Sequence, residues 1–193
     1  MRTRSHFPKA STALLLVDVI NPCDFPGGRA FVQRNLTVAR AIAKLAERAR
    51  GRHVPVIYVN DNFGRWRSDI DALVAACTRP DKPGAAIVDL LRPHSKDFVV
   101  LKSTLSGFYQ TPLDAMLRLG GVRTVIIAGF SADNCVLFTA ADAYMREFQI
   151  VVPRNCVGAK SADDVRRALR SMRSVLDART PPARGLRLSK SHL

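Results

Sequence analysis

No apolar run in this chain approaches the roughly 20 residues needed to cross a bilayer; the longest lie at about residues 13–19 and 125–130. No transmembrane helix and no membrane partner is expected. The basic start, MRTRSHFPKAST, leads only into a short apolar stretch broken by Asp18, a poor fit to a secretory leader. The cytoplasm is therefore the expected location. Cysteines are few and scattered: Cys23, Cys77, Cys135 and Cys156 form no C-x-x-C pair, which argues against a zinc ribbon and a dense disulfide framework. Acidic residues are scarce beside basic ones, 16 against 30, for a formal net charge of +14. An excess of that sign raises the question of phosphate binding, but clustering decides it. Arg166, Arg167, Arg170 and Arg173 recur at helical spacing opposite Ala168, Leu169, Met172 and Leu176, the pattern of a solvated helix face. No specific nucleic-acid partner is expected.

What is present is ordinary globular material, with 47% hydrophobic and 24% charged residues in 193. That length suits one domain spanning residues 1–193, with residues 1–10 as a basic N-terminal arm and 179–193 as a loose C-terminal tail. Strand-like apolar runs at 12–19, 54–60, 98–102, 122–129 and 149–152 alternate with helical patterns at 30–50, 70–77, 111–119, 134–148 and 161–176. The stretch TRPDKPG reads as turn, and residues 184–188 as a further edge strand. The alternation predicts an α/β fold: three layers, with a doubly wound, mostly parallel sheet of Rossmann-like topology flanked by helices.

In such a sheet, ligands bind beyond the carboxyl ends of the strands, where connections diverge to opposite faces. That rule selects Asp18 after LLLV, Asn60 and Asp61 after VIYV, Lys102 after FVVL, and the segment from Phe130 to Cys135 after VIIAG. A carboxylate and a lysine at the ends of apolar strands are costly to bury unless paired, so Asp18 and Lys102 are expected to face each other. For either alone, a solvated strand end is the competing reading. Cys135 precedes a helix whose positive end, with Lys102, is expected to lower its thiol pKa and favour the thiolate. Asp18 is positioned to accept the thiol proton and return it to a leaving amine. A buried small hydrophobe is the usual fate of a free cysteine and the preferred reading of Cys23, Cys77 and Cys156.

The segments LLLVDVIN, VVLKSTLSGFYQTPL and IIAGFSADNCVLFTAADA together resemble, in order and spacing, the anchors of the isochorismatase-like cysteine hydrolases, a superfamily that includes nicotinamidases and N-carbamoylsarcosine amidase. The resemblance runs from about residue 12 to about residue 176. It implies a catalytic triad of Asp18, Lys102 and Cys135 that attacks an amide-like carbonyl through a covalent thioester. It further implies a cis peptide between Phe130 and Ser131, and an oxyanion hole from the amides of Ser131 and Cys135. Family members are usually oligomeric, so a homodimer or homotetramer is implied. Two departures stand out. The loop reads F-S-A-D-N where V-A-T-D-x is commoner, and NDNFGRW carries no histidine where nicotinamidases place metal ligands. His6, His53, His94 and His192 are too dispersed to replace those ligands, so no metal and no cofactor is expected.

The expected activity is hydrolysis of a small amide, imide or ureido compound by the cysteine route. Two alternatives are a non-catalytic binding or scaffold member of the fold and a cysteine-independent, isochorismate-type vinyl ether hydrolase; Cys135 argues against the second. Candidate substrate-binding residues are Asn21, Asn60 and Asp61, with aromatic walls from Phe25, Phe63, Trp66, Phe108 and Tyr109. Core packing is the competing reading for Phe25 and Phe108. Arg65 and Arg67 are candidates for an anionic substrate group, against the commoner solvated arginine.

Overall fold

Successive residues of a strand point to opposite faces, and the first strand of the chain shows what that demands. In β1 (Thr12–Val17), Leu14 and Leu16 enter one apolar cluster while Ala13, Leu15 and Val17 enter another, all fully buried. A strand that is apolar on both faces must be covered on both, and full burial of each such leucine is worth about 2 kcal/mol. The computed structural model, which describes residues 7–64 and 69–188, meets that demand with three layers.

The sheet contains β1, β2 (Val56–Asp61), β3 (Phe98–Lys102), β4 (Thr124–Phe130), β5 (Gln149–Val151) and β6 (Val157–Gly158), all paired in parallel. The strand order is β3-β2-β1-β4-β5, with β6 on the end of β4. On one face lie α1 (Gly28–Gly51), α2 (Ile70–Cys77) and α3 (Ala85–Leu90), contributing Ile42, Leu45, Leu73 and Val88. On the other lie α4 (Leu113–Gly120), α5 (Cys135–Met145) and α6 (Ala162–Val175), contributing Leu117, Val136, Ala140 and Met172. The chain runs outward from β1 to β3 and then crosses back to β4 on the other side of β1. The crevice between the ends of β1 and β4 is therefore the switch point.

Several boundaries differ from expectation. The β1 ladder stops at Val17, because Asp18 adopts a positive φ of 48° and leaves the sheet. α5 stops at Met145; Glu147 turns with φ 64° and drives Phe148 into the core. α3 forms directly after the TRPDKPG turn, in a stretch to which the sequence reading assigned no element, since six residues are too short to show a helical period. The expected edge strand at 184–188 is absent. A 3-10 turn at Ala183–Gly185 stands there, and Arg179 makes a single bridge to Val151.

The tail is also not loose as far as residue 188. Arg48 donates to the carbonyls of Ala183 and Leu186 at 2.9 and 2.8 Å, Asn155 Oδ1 accepts from the Ala183 amide, and Leu188 is buried. Those bonds tie down a polar segment whose composition alone reads as a mobile end. Residues 7–10 of the basic arm are likewise docked. The Phe7 ring lies 4.7 Å from that of Phe98, and the Ala10 amide donates to Gly120 O. No helix among the described residues is long and apolar enough to cross a membrane.

Candidate active site

The four strand ends around the switch point place the charged groups. The Cα of Asp61 pairs with that of Lys102 in the β2–β3 register, and Asp18 follows β1 directly beside them. At the β1–β4 junction Gly129 has φ 131°, and a Cβ there would lie 2.0 Å from the Val17 carbonyl oxygen. Only glycine lets β4 pass that closely before the chain turns into the loop carrying Ser131 and Cys135.

Lys102 is 1% exposed and Asp18 7% exposed. The Lys102 ammonium lies 2.8 Å from Asp18 Oδ2, 3.8 Å from Asp61 Oδ2 and 3.6 Å from Cys135 Sγ, and donates to Thr104 O at 3.0 Å. The second oxygen of Asp18 accepts the Asp61 amide at 2.7 Å, so the carboxylate is held from two sides. The expectation that Asp18 and Lys102 face each other is met, and Cys135 Sγ completes the cluster at the first residue of α5.

The electrostatics correct one expectation. Burial, reinforced by the Asp18 charge, pushes the Cys135 thiol up to about 12, against the opposing pull of Lys102. Desolvation thus outweighs the ammonium that was expected to favour the thiolate. Burial also raises the Asp18 carboxyl above its ordinary value, although Lys102 and three hydrogen bonds act to lower it. Burial alone would depress Lys102; the charge and hydrogen bond of Asp18, with Cys135 and Asp61, hold it above its usual value.

The cluster opens into a cleft of about 480 Å³. Asn21, Phe25, Asp61, Phe63, Ser131 and Cys135 line it, as does Asp18. Three sequence candidates do not. Asn60 is fully buried and spends its amide on Ile20: its Oδ1 accepts the Ile20 amide and its Nδ2 donates to Ile20 O, both at 2.9 Å. It therefore holds the loop after β1 rather than a substrate. Phe108 is a core residue, its ring stacked 5.8 Å from Phe148, and Tyr109 is half exposed and outside the cleft lining. Trp66, with Arg65 and Arg67, lies outside the described residues. An aromatic series at the cleft wall runs from Phe25 through Phe31 to Phe130, with 5.7 Å between successive rings.

Lys160 lines the cleft although the sequence reading passed over it, and Asn134, within the selected segment from Phe130 to Cys135, lines it as well. Lys160 follows β6, and a two-residue strand is too short to show a period. The peptide bond between Phe130 and Ser131 is cis. Among the described residues the amides of Ser131 and Cys135 have no backbone acceptor, whereas the Ala132 amide donates to Gly158 O at 2.7 Å. No group of three or more His, Cys, Asp or Glu among the described residues is arranged to hold a metal ion. His53 and His94 line a separate depression near the start of β2.

Comparison with known proteins fits this geometry. The Isochorismatase domain family model matches residues 12–180. An isochorismatase family protein of Bacillus subtilis, YaaI, is 38% identical over 170 residues, 88% of this chain and 93% of its own. The ureidoacrylate amidohydrolase RutB of Methylobacterium radiotolerans is 30% identical over 82% of this chain and 71% of its own. The crystal structure of N-carbamoylsarcosine amidase from Thermoplasma acidophilum superposes with a TM-score of 0.70 at 30% identity, covering 91% of this chain and 98% of that one.

Proposed function

Because the chain belongs to the isochorismatase family, we propose that it is a cysteine hydrolase that cleaves the C–N bond of a small amide or ureido compound. One observation carries the reading: a carboxylate, an ammonium and a thiol meet within hydrogen-bonding range at the switch point, at the base of an open cleft. Relatives named for amide and ureido hydrolysis point to the same bond type.

The raised Asp18 carboxyl is suited to taking a proton, and Cys135 holds one. As Sγ attacks the carbonyl carbon, its proton passes to Asp18, and the carbonyl oxygen takes up the negative charge. Lys102 remains charged throughout and stabilises both the thiolate and the carboxylate it replaces, so the proton never has to reach bulk solvent. The Ser131 and Cys135 amides serve as oxyanion donors; one such donor is typically worth about 10²–10³ in rate. Collapse of the adduct breaks the C–N bond, and Asp18 returns the proton to the departing nitrogen. Water then attacks the thioester with Asp18 as base, releasing a carboxylic acid from an amide or a carbamic acid from a ureido compound and restoring the thiol. Asn21, Phe25 and Phe63 contribute walls that hold the acyl portion.

Turnover of a panel of small amides and ureides, compared between the wild type and Cys135→Ala, tests this reading. Turnover that depends on Cys135, with a mass increase on that residue during reaction, is the expected result. Equal turnover by both proteins would sink it.

A further inference from the structure

We propose that the outer face of α1, with the segment packed along it, is a surface for the phosphate backbone of double-stranded nucleic acid, bound without regard to base sequence.

Cations scattered along the chain gather once it folds. Within its 24 residues α1 holds six cations and one acid, Glu47, which is taken up by Arg50 at 2.5 Å and lies 3.5 Å from His94. Arg40, Lys44 and Arg48 are exposed at four-residue spacing, and Arg52 follows at the cap. Four residues advance a helix by about 6 Å, so these four charges are spread over about 18 Å of its length. One strand of a duplex presents a phosphate about every 3.4 Å of axis, so the row meets about five of them.

Arg184 and Arg187 join the row from the far end of the chain. Arg48 bonds to the carbonyls of Ala183 and Leu186, and beside it Arg48, Gly51, Arg52, Leu186, Arg187 and Leu188 line a depression of about 460 Å³ with no acid in its wall. Among the described residues, Arg40, Lys44, Arg52, Arg184 and Arg187 enter no ion pair, whereas on α6 Arg166 and Arg167 are answered by Asp163 and Asp164. The helix dipole accounts for cations in the last turn only. Arg40 and Lys44 stand about three and two turns short of the end of α1, and Arg184 and Arg187 belong to another segment.

The kind of polyanion follows from what surrounds these charges. A helix held by an anionic membrane offers apolar side chains beside its cations. The apolar side of α1 is spent on the sheet, and none of the large exposed apolar side chains belongs to α1 or to residues 183–188. Single strands are gripped by aromatics that stack on their bases, and this face exposes none. Guanidinium groups pair with phosphate oxygens as a fork, which suits a duplex backbone. The depression lies where α1 ends, whereas Phe31 near its start lines the cleft, so a bound duplex leaves the cleft open.

Anisotropy of a labelled mixed-sequence duplex, titrated with the full chain from about 0.05 to 0.3 M salt, tests the assignment. Binding is expected in the micromolar range, and the logarithm of the association constant should fall with that of the salt concentration at a slope of about −4 to −5. A duplex of unrelated sequence should bind equally. Arg52→Glu with Arg187→Glu should weaken binding at least about tenfold and flatten the slope by about two, with the melting temperature unchanged. Arg52→Gln with Arg187→Gln, which removes charge without adding repulsion, should weaken binding less and flatten the slope by a similar amount. Arg170→Glu with Arg173→Glu makes the same change in net charge at exposed positions of α6, and should bind within about twofold of the wild type. No binding at the lowest salt, equal losses from the two Glu pairs, tighter binding to the single strand, or equal binding of polyglutamate or of phosphatidylserine vesicles would overturn the proposal.

Discussion

The sheet carries an ion pair at each end, partly buried at one and buried at the other, and the two do different things. At the amino-terminal end, Asp97 is gripped by Arg50 at 3.1 and 2.7 Å, accepts the His94 amide at 2.7 Å, and is almost wholly covered. Tyr58 accepts from the same arginine and donates to Arg92 O, and burial pushes its phenol well up. Every strong donor and acceptor in that knot has a partner, and it ties α1 to the start of β3. At the carboxyl-terminal end, the Lys102 ammonium lies deeper than Arg50, but a titratable thiol touches the Asp18–Lys102 pair and a cleft opens over it. The same pairing chemistry locks the fold at one end and holds a reactive group at the other. The difference lies in the third partner and in access to the outside.

Substitutions sharpen that contrast. The largest effect should come from Cys135→Ala, with turnover lower by at least about 10⁴ and a melting temperature within a few degrees of the wild type. A variant that stayed active would erase the distinction between the two ends. Asp97→Ala should show the converse. Taking Asp97 from the partly buried Arg50, which keeps Glu47, costs about 2 kcal/mol, lowering the melting temperature by about 6 °C while the native fraction keeps its activity. A loss of activity beyond the loss of folded protein would argue that the two ends communicate.

The pH dependence of kcat/KM is a subtler test. Asp18 accepts a proton only when ionised, and its carboxyl is raised, so activity should fall with decreasing pH at a value above the 3.8 of an ordinary aspartate. The Cys135 thiol titrates at about 12, so it should impose no loss between neutral and mildly alkaline pH. An alkaline limb near 8 or an acidic limb at the solvated value would contradict the assignment. The smallest effect belongs to an exposed pair used as a reference. Asp81→Ala, which breaks a contact to Arg79 with both side chains more than half exposed, should change stability by less than about 0.5 kcal/mol in chemical denaturation.

Much of the architecture was legible in the residues. LLLV, VIYV, FVVL and VIIAG are apolar on both faces, and a strand of that kind sits only in a sheet covered on both sides. Asp18 and Lys102 were legible for the complementary reason: a charge ending such a run must find a partner. Less was legible where a residue's role depends on a distant neighbour. Asn60 and Phe108 have the right types for a binding wall, yet one is spent on the Ile20 backbone and the other on Phe148. The segment after Arg179 reads as a polar end, and it is pinned by distant partners, through the carbonyls it offers to Arg48 and the Ala183 amide it gives to Asn155.

The sequence by itself determined the alternation of strand and helix, the positions of Asp18 and Lys102 at strand ends and of Cys135 at a helix start, and the resemblance to a hydrolase family. These rest on local periodicity and on the cost of burying charge, which a linear pattern displays. The tertiary structure decided how deeply the thiol is buried, which fixes the direction of its pKa. It also decided which aromatics face the cleft, and that a two-residue strand aims Lys160 into it. Burial and shape arise from contacts between segments far apart in the chain, so no window of sequence contains them.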